Sequence, residues 1–252
     1  MGELIVGDWV IDPVVVGVIA LAVFVRSTFG FGDALVAMPL LMLSGTEAIP
    51  ATALVAAVSL VSAATIFAID RGTTRLAPRT GVLVLTAIPG LVLGLWFLGT
   101  ASTPLLTGVL GVTVAAIGLL GVGGEPGTWR VTDRMAPGFG LAAGCLGGVL
   151  NLHGPPLVVF GTARGWSPEV FRSTCQAYFL AAGVLLVGGH GYAGRYDGEL
   201  LVQLAACLPV VAVAGWLGGR LNRRLPVESF RKAVYGILVV LGVLLLLSGG
   251  SG

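Results

Sequence analysis

Arg26 is the one basic residue set deep in an apolar run, Val23-Phe-Val-Arg-Ser-Thr-Phe-Gly30. A charge in such surroundings is costly, so the default reading is functional, with a partner to be named. Asp33, seven residues on, is one candidate partner, and a bound anion is the other. Two structural alternatives stand beside these: an Arg26–Asp33 pair that holds a turn shut, and an arginine that snorkels to an interface. Asp33 follows Phe29-Gly30-Phe31-Gly32, where it reads as the N-cap of a returning helix. Desolvated, its carboxylate would also titrate, and a protonatable acid beside an anion site suits proton coupling.

A second polar cluster, Asn151-Leu-His153-Gly154-Pro155-Pro156, interrupts another apolar stretch. His153 has the chemistry to bind an anion when protonated or to relay a proton near neutral pH, while a loop histidine bonded to backbone is the plainer alternative. Asn151 can donate and accept at once, which suits a small polar solute, or it can cap a broken helix. Arg172, behind Glu169, either neutralises that acid or reaches the site from the cytoplasmic side. Gln176 needs a polar partner between helices, and its neighbours Tyr178 and Phe179 read as packing residues.

Other chemistries are poorly served. The histidines are His153 and His190, neither beside an activated serine or cysteine nor paired as metal ligands, so no enzyme and no cofactor is expected. Cys145, Cys175 and Cys207 sit in apolar surroundings without CxxC spacing and read as buried hydrophobes. A net charge of +2 without a basic-aromatic patch sets nucleic acid aside.

The elements that must carry these residues follow from composition. Of 252 residues, 56% are hydrophobic and 10% charged, against about 25% charged in a soluble domain. Apolar runs of bilayer-spanning length occur near 48–69, 80–98, 104–122, 169–189, 199–219 and 230–247, and they are apolar on every face, which disfavours a β-barrel. Two further stretches, 13–43 and 137–163, are broken at Phe29–Asp33 and at Asn151–Pro156. Glu3, Asp8 and Asp12 stand where a signal peptide would have cations, so the first segment is expected to be retained.

The two halves share a layout, a broken stretch followed by three spans. Pro89, Trp96 and Gly99 match Pro209, Trp216 and Gly219 at an offset of 120, and Gly32, Pro39 and Gly45 match Gly148, Pro155 and Gly161 at 116. If each broken stretch crosses the membrane once, the loop cations divide six against seven, with no bias. If each is a hairpin that returns to its own side, every loop cation except Arg195 falls on one side, as the positive-inside rule requires. The second choice also makes the halves inverted copies, an architecture of many secondary transporters. The expected fold is therefore an all-α polytopic membrane protein of two inverted repeats, each a broken-helix hairpin plus three transmembrane helices. Residues 1–122 form the first repeat, 123–136 a cytoplasmic connector and 137–252 the second repeat. Both termini would be extracytoplasmic.

Irregular backbone at membrane depth is tolerated only when buried in protein or facing a polar cavity, so the breaks point to a site. Gly30 and Gly32 supply the first turn, and Gly154-Pro155-Pro156 opens the next helix of the second break with prolines, which have no N–H to leave unpaired. Two helix N-termini would converge there, a ready site for a small anion.

The stretch Arg26-Ser-Thr-Phe-Gly-Phe-Gly-Asp-Ala-Leu-Val-Ala-Met-Pro-Leu-Leu resembles the first repeat of the TauE/SafE family of membrane permeases. Gly147-Gly-Val-Leu-Asn-Leu-His-Gly-Pro-Pro-Leu-Val-Val-Phe resembles its second, and Trp166-Ser-Pro-Glu-Val-Phe-Arg-Ser-Thr is similar to the family's segment after Gly-Pro-Pro. The resemblance covers nearly the whole chain. It implies an inner-membrane transporter, mostly an exporter, of sulfite, sulfoacetate or a related organosulfonate, and it points to Gly30, Gly32, Pro39, Asn151, Gly154, Pro155 and Pro156 as site-forming positions. Asp33 and His153 depart from the family pattern, which favours small residues at both.

The expected function is an alternating-access carrier binding its anion between the two hairpin tips, with protons as a candidate coupling ion. The alternatives are an uncoupled anion channel and a carrier for a small carboxylate. Membrane lipid is the remaining expected partner, and Gly-rich faces would allow a homodimer.

Overall fold

The computed structural model describes residues 4–6, 9–69, 75–122, 131–222 and 227–249. Glu3, Asp8, Arg71, Arg130, Arg223, Arg224 and most of the 123–136 connector lie outside the described residues, as do the side chains of Arg231 and Lys232. The chain is helical almost throughout: α1 (Pro13–Phe29), α2 (Asp33–Leu43), α3 (Ala48–Ile69), α4 (Thr80–Thr100), α5 (Thr103–Val122), α6 (Ala136–Leu150), α7 (Gly154–Ala163), α8 (Pro168–Tyr192), α9 (Gly198–Asn222) and α10 (Val227–Gly249). Five of them, α3, α4, α5, α8 and α9, are long and apolar enough to cross a bilayer, and α10 contributes the apolar segment Leu238–Leu247. A hairpin of β1 (Leu4–Val6) and β2 (Trp9–Ile11) precedes them, which the sequence reading did not contain; three-residue strands are too short to show an alternation.

Both breaks form where expected, and for identifiable backbone reasons. α1 ends on Gly30 in the left-handed region (φ 87°), whose N–H donates to the Arg26 carbonyl at 2.6 Å. Gly32 is left-handed too (φ 101°), so the chain reverses within three residues through positions that side chains rarely adopt. α6 ends on Asn151, also left-handed (φ 60°), with its N–H on the Gly147 carbonyl at 2.7 Å. Gly30 and Asn151 are thus equivalent caps, 121 residues apart. The offset of 116 fares differently. Gly32 lies in a break but Gly148 lies within α6, and Pro39 is in mid-α2 whereas Pro155 opens α7. Those matches are coincidences of a glycine-rich chain. The offset of 120 pairs Pro89 in α4 with Pro209 in α9, and Trp96 with Trp216, which are 66% and 61% exposed on the outer surface.

α2 and α7, of 11 and 10 residues, are about 16 and 15 Å long, near half a hydrocarbon core of about 30 Å. Contacts at their ends fix where the broken pairs begin and finish. Arg164, just after α7, bonds Asp133 Oδ1 at 3.0 Å and the Val131 carbonyl at 3.2 Å, just before α6. The approach to α4 lies at the same end, since the Ala77 N–H donates to Thr174 Oγ1 near the start of α8 at 2.9 Å. At the opposite end, Asp12, which caps α1, exchanges hydrogen bonds with Gln203 of α9. There too the Tyr196 hydroxyl, just after α8, donates to the Ala53 carbonyl in the first turns of α3 at 3.1 Å.

Glycines set the closest approaches. A Cβ at Gly90 or Gly94 of α4, or at Gly140, Gly144 or Gly148 of α6, would strike the backbone of the facing helix, so the α4–α6 contact is backbone against backbone. α1 packs on α9 at Gly218 in the same manner, and α5 packs on α10 through Gly118 and Gly242. Exchanging α1–α5 with α6–α10 turns α4·α6 into α9·α1 and α4·α8 into α9·α3, and returns α5·α10 and α3·α8 to themselves. The packing of α2 on α5 and α10 has no counterpart of that extent at α7.

Candidate functional site

Five buried polar side chains from four segments meet where the two breaks come together. Arg26, in the last turn of α1, is 1% exposed. Its Nη1 donates to Asp33 Oδ2 at 2.5 Å and its Nη2 to Gln176 Oε1 at 3.1 Å, while the guanidinium carbon lies 4.8 Å from the centre of the Phe179 ring. Arg26 Nε has no hydrogen-bond partner among the described residues. A buried donor left unpaired is uncommon in a folded protein.

Asp33 opens α2 but does not cap it. Gly32 occupies the cap position, with no side-chain hydrogen bond, and the Asp33 carboxylate instead takes Arg26 and the Ser59 hydroxyl of α3, the latter at 2.5 Å. Of the alternatives open for Arg26, the Arg26–Asp33 pair is the one the structure contains. Ser59 Oγ accepts from Asn151 Nδ2 at 3.1 Å, and Asn151 Oδ1 faces His153 Nε2 at 3.2 Å. With the amide oriented this way Oδ1 can only accept, so Nε2 carries the hydrogen. Every bond from His153 through Asn151 and Ser59 therefore donates toward Asp33, an aligned chain that stabilises the carboxylate. Asn151 caps α6 with its backbone, leaving its side chain for this network.

The cavity here is partly open and has a volume of about 20 Å³, room for one or two waters. Its wall includes Arg26, Gly32, Asp33, Ser59, Asn151, His153, Gly154 and Phe179, so both breaks and the first residues of α2 and α7 face it. The two helix N-termini thus converge, with a difference between them. α2 keeps its first-turn N–H groups, whereas Pro155 and Pro156 remove two from α7, which contributes mainly its dipole.

The other expected residues stand back from the cavity wall. Gln176, 1% exposed, donates to the Gly30 carbonyl at 2.7 Å and so ties the first break to Arg26. Arg172 runs beside Gly30, where an added Cβ would lie 3.5 Å from its Cγ. Pro39 is buried within α2, and Pro155 and Pro156 form the first turn of α7. Sequence reasoning missed Ser59, which joins the two halves of the network, and read Phe179 as packing although it lies under the Arg26 guanidinium. It also missed Gly147, whose missing side chain leaves the space the His153 ring fills. Among the described residues no three His, Cys, Asp or Glu side chains gather as a metal site.

A sequence profile of the family described as "Sulfite exporter TauE/SafE" matches residues 15–245. The chain belongs to the TauE/SafE family. One similar protein is the "Probable sulfite/organosulfonate exporter TauE" of Cupriavidus necator, 25% identical over 230 residues that cover 89% of each chain. The family match extends from α1 into α10, so the two breaks, the Arg26–Asp33 pair and the cavity all lie inside the TauE/SafE region. As a TauE/SafE protein the chain is a multi-pass membrane protein of a transporter family.

Proposed function

We propose that this protein is a secondary carrier of a small sulfur oxyanion, sulfite or an organosulfonate, which binds in the cavity between the two breaks and is moved by alternating access with proton coupling. The observation that carries this reading is the buried guanidinium of Arg26, a residue that lines that cavity, with its Nε–H unpaired among the described residues. A planar fork of N–H donors suits the oxygens of a sulfonate, and the N-terminus of α2 adds positive potential beside it. The name of the Cupriavidus necator protein supports the substrate class.

In the same reading the chain is two inverted repeats, 1–122 and 137–252, joined by a cytoplasmic connector at 123–136, in the cell inner membrane with both termini outside. The end contacts support it. The second broken pair starts and finishes at the Arg164 end, the first at the Asp12 end, and the helix contacts exchange between halves. Moving an anion from this site to either side of the membrane requires its walls to part, as alternating access provides.

The test is a thermal-unfolding titration of the detergent-purified protein with sulfite, sulfoacetate, sulfate, acetate and chloride. A ligand at a hundred times its Kd adds about 2.7 kcal/mol to the folded state. A selective shift with sulfite or sulfoacetate is expected, and it should vanish in the Arg26→Ala/Asp33→Ala double variant, which keeps the site neutral. A shift that persists in that variant places the ligand elsewhere, and no shift with either sulfur anion removes the substrate assignment.

A further inference from the structure

The Arg26–Asp33 pair imposes a condition on any anion that enters. Arg26 and Asp33 are 1% and 6% exposed, and the guanidinium charge is already matched by the carboxylate. A second anion against this buried pair would leave one negative charge without a counter-charge, which burial penalises severely. The groups facing the pair do not relieve this. α3 presents Ser59, α8 presents Gln176 and Phe179, and the second break presents Asn151 and His153, whose Nε2–H is engaged with Asn151 and whose ring lies 5.7 Å from that of Tyr178. Arg26 is the permanent cation among these groups, and two carboxylate-like ligands would compete for it.

We propose that Asp33 is a built-in stand-in for the transported anion: it holds Arg26 while the site is empty and releases it to the arriving anion by taking up one proton on its own carboxylate. This rests on the anion-site reading above and names the residue and the sign of its coupling. The balance is simple. The Arg26⁺–Asp33⁻ pair plus one monovalent anion and one proton becomes an Arg26⁺–anion pair plus the neutral acid of Asp33; a single O–H bond forms and the site is neutral before and after. The new acid proton has an acceptor at hand, because Ser59 Oγ carries two lone pairs and one is used by Asn151. The Ser59 hydroxyl hydrogen, no longer required by Asp33, is then free to turn toward the anion.

Methanesulfonate is the probe, since it stays ionised throughout the range tested, whereas sulfite itself exchanges a proton near neutrality. Its Kd for the full-length protein in detergent is measured from pH 5 to 8, with proton uptake followed by an indicator dye in weak buffer. The wild type should take up about one proton per anion, and its Kd should rise about tenfold per pH unit over the range where the empty site holds ionised Asp33. Asp33→Asn should bind tightly with a flat pH profile and no uptake, and His153→Gln should keep the wild-type slope. A flat wild-type profile without uptake overturns the proposal while leaving the anion site standing. So does a slope that survives Asp33→Asn, or one lost in His153→Gln alone, which would assign the proton to the histidine. Absence of binding by wild type and Asp33→Asn at every pH sinks the anion site and this inference together. The uptake measurement needs no variant, so an unstable Asp33→Asn protein does not remove the test.

Discussion

At the residue scale the Arg26–Asp33 pair is the most consequential interaction in the molecule, because each partner is tolerable where it lies only through the other. Arg26→Ala strands a buried carboxylate that retains the Ser59 hydroxyl as a donor, and such half-broken pairs cost about 3–5 kcal/mol. Adding Asp33→Ala removes the stranded charge, so the double variant should unfold at a higher temperature than Arg26→Ala alone. A double-mutant cycle in detergent measures this, with a coupling of about 0.5–3 kcal/mol expected for groups in contact. Additive effects would mean that the pair is not energetically coupled. The same residues show what a sequence can and cannot disclose. Arg26, Asp33, Asn151, His153 and Gln176 are polar in apolar surroundings, and the cost of burying them announces them. Ser59 gives no such signal, because hydroxyls in membrane helices commonly bond their own backbone, as Thr52 does to the Ala48 carbonyl and Thr65 to the Val61 carbonyl. Asp33 reads as a cap in the sequence because capping rules consider one helix end at a time, and the competing Arg26 comes from a different helix.

At the scale of elements, the breaks were legible because glycine and proline carry local backbone instructions, and helix bounds followed from apolar run lengths. The glycine interfaces were not, since forty glycines in one chain look alike until their neighbours are known. Gly144 and Gly108 make the distinction measurable. A Cβ at Gly144 of α6 would collide with the Ala87 backbone of α4, whereas a Cβ at Gly108 of α5 meets nothing within 4 Å. Gly144→Ala should therefore force α4 and α6 apart, at a cost of about 1–3 kcal/mol for overpacking. Gly108→Ala should be neutral or stabilising by up to about 1 kcal/mol, from helix propensity. Thermal unfolding of the two variants checks the pair; equal losses would show that glycine content rather than close approach governs these helices. Because α6 carries Asn151 at its end, a shifted α6 should also weaken the network that reaches Asp33 through Ser59.

At the scale of the whole molecule, the question is whether a chain of this charge pattern enters the membrane twice without crossing. Charge asymmetry alone does not decide it, since the hairpins are preferred for the very asymmetry they create. Contacts bear on it independently: Arg164 meets Asp133, so the two ends of the second broken pair lie together, and a single crossing would hold them a membrane apart. Glu47 and Thr132, exposed in loops, and Glu169 and Tyr192, exposed at the two ends of α8, separate the topologies without ambiguity. In a background with Cys145, Cys175 and Cys207 replaced, single cysteines at these positions are exposed to a membrane-impermeant maleimide in intact cells and in inverted vesicles. With two returning hairpins, Glu47→Cys and Tyr192→Cys label in cells, while Thr132→Cys and Glu169→Cys label in inverted vesicles. Single crossings would instead group Thr132 with Tyr192 and Glu47 with Glu169. That grouping would be incompatible with the Arg164–Asp133 contact, which holds the two ends of the second broken pair on one side, and with it the inverted-hairpin arrangement proposed for the carrier.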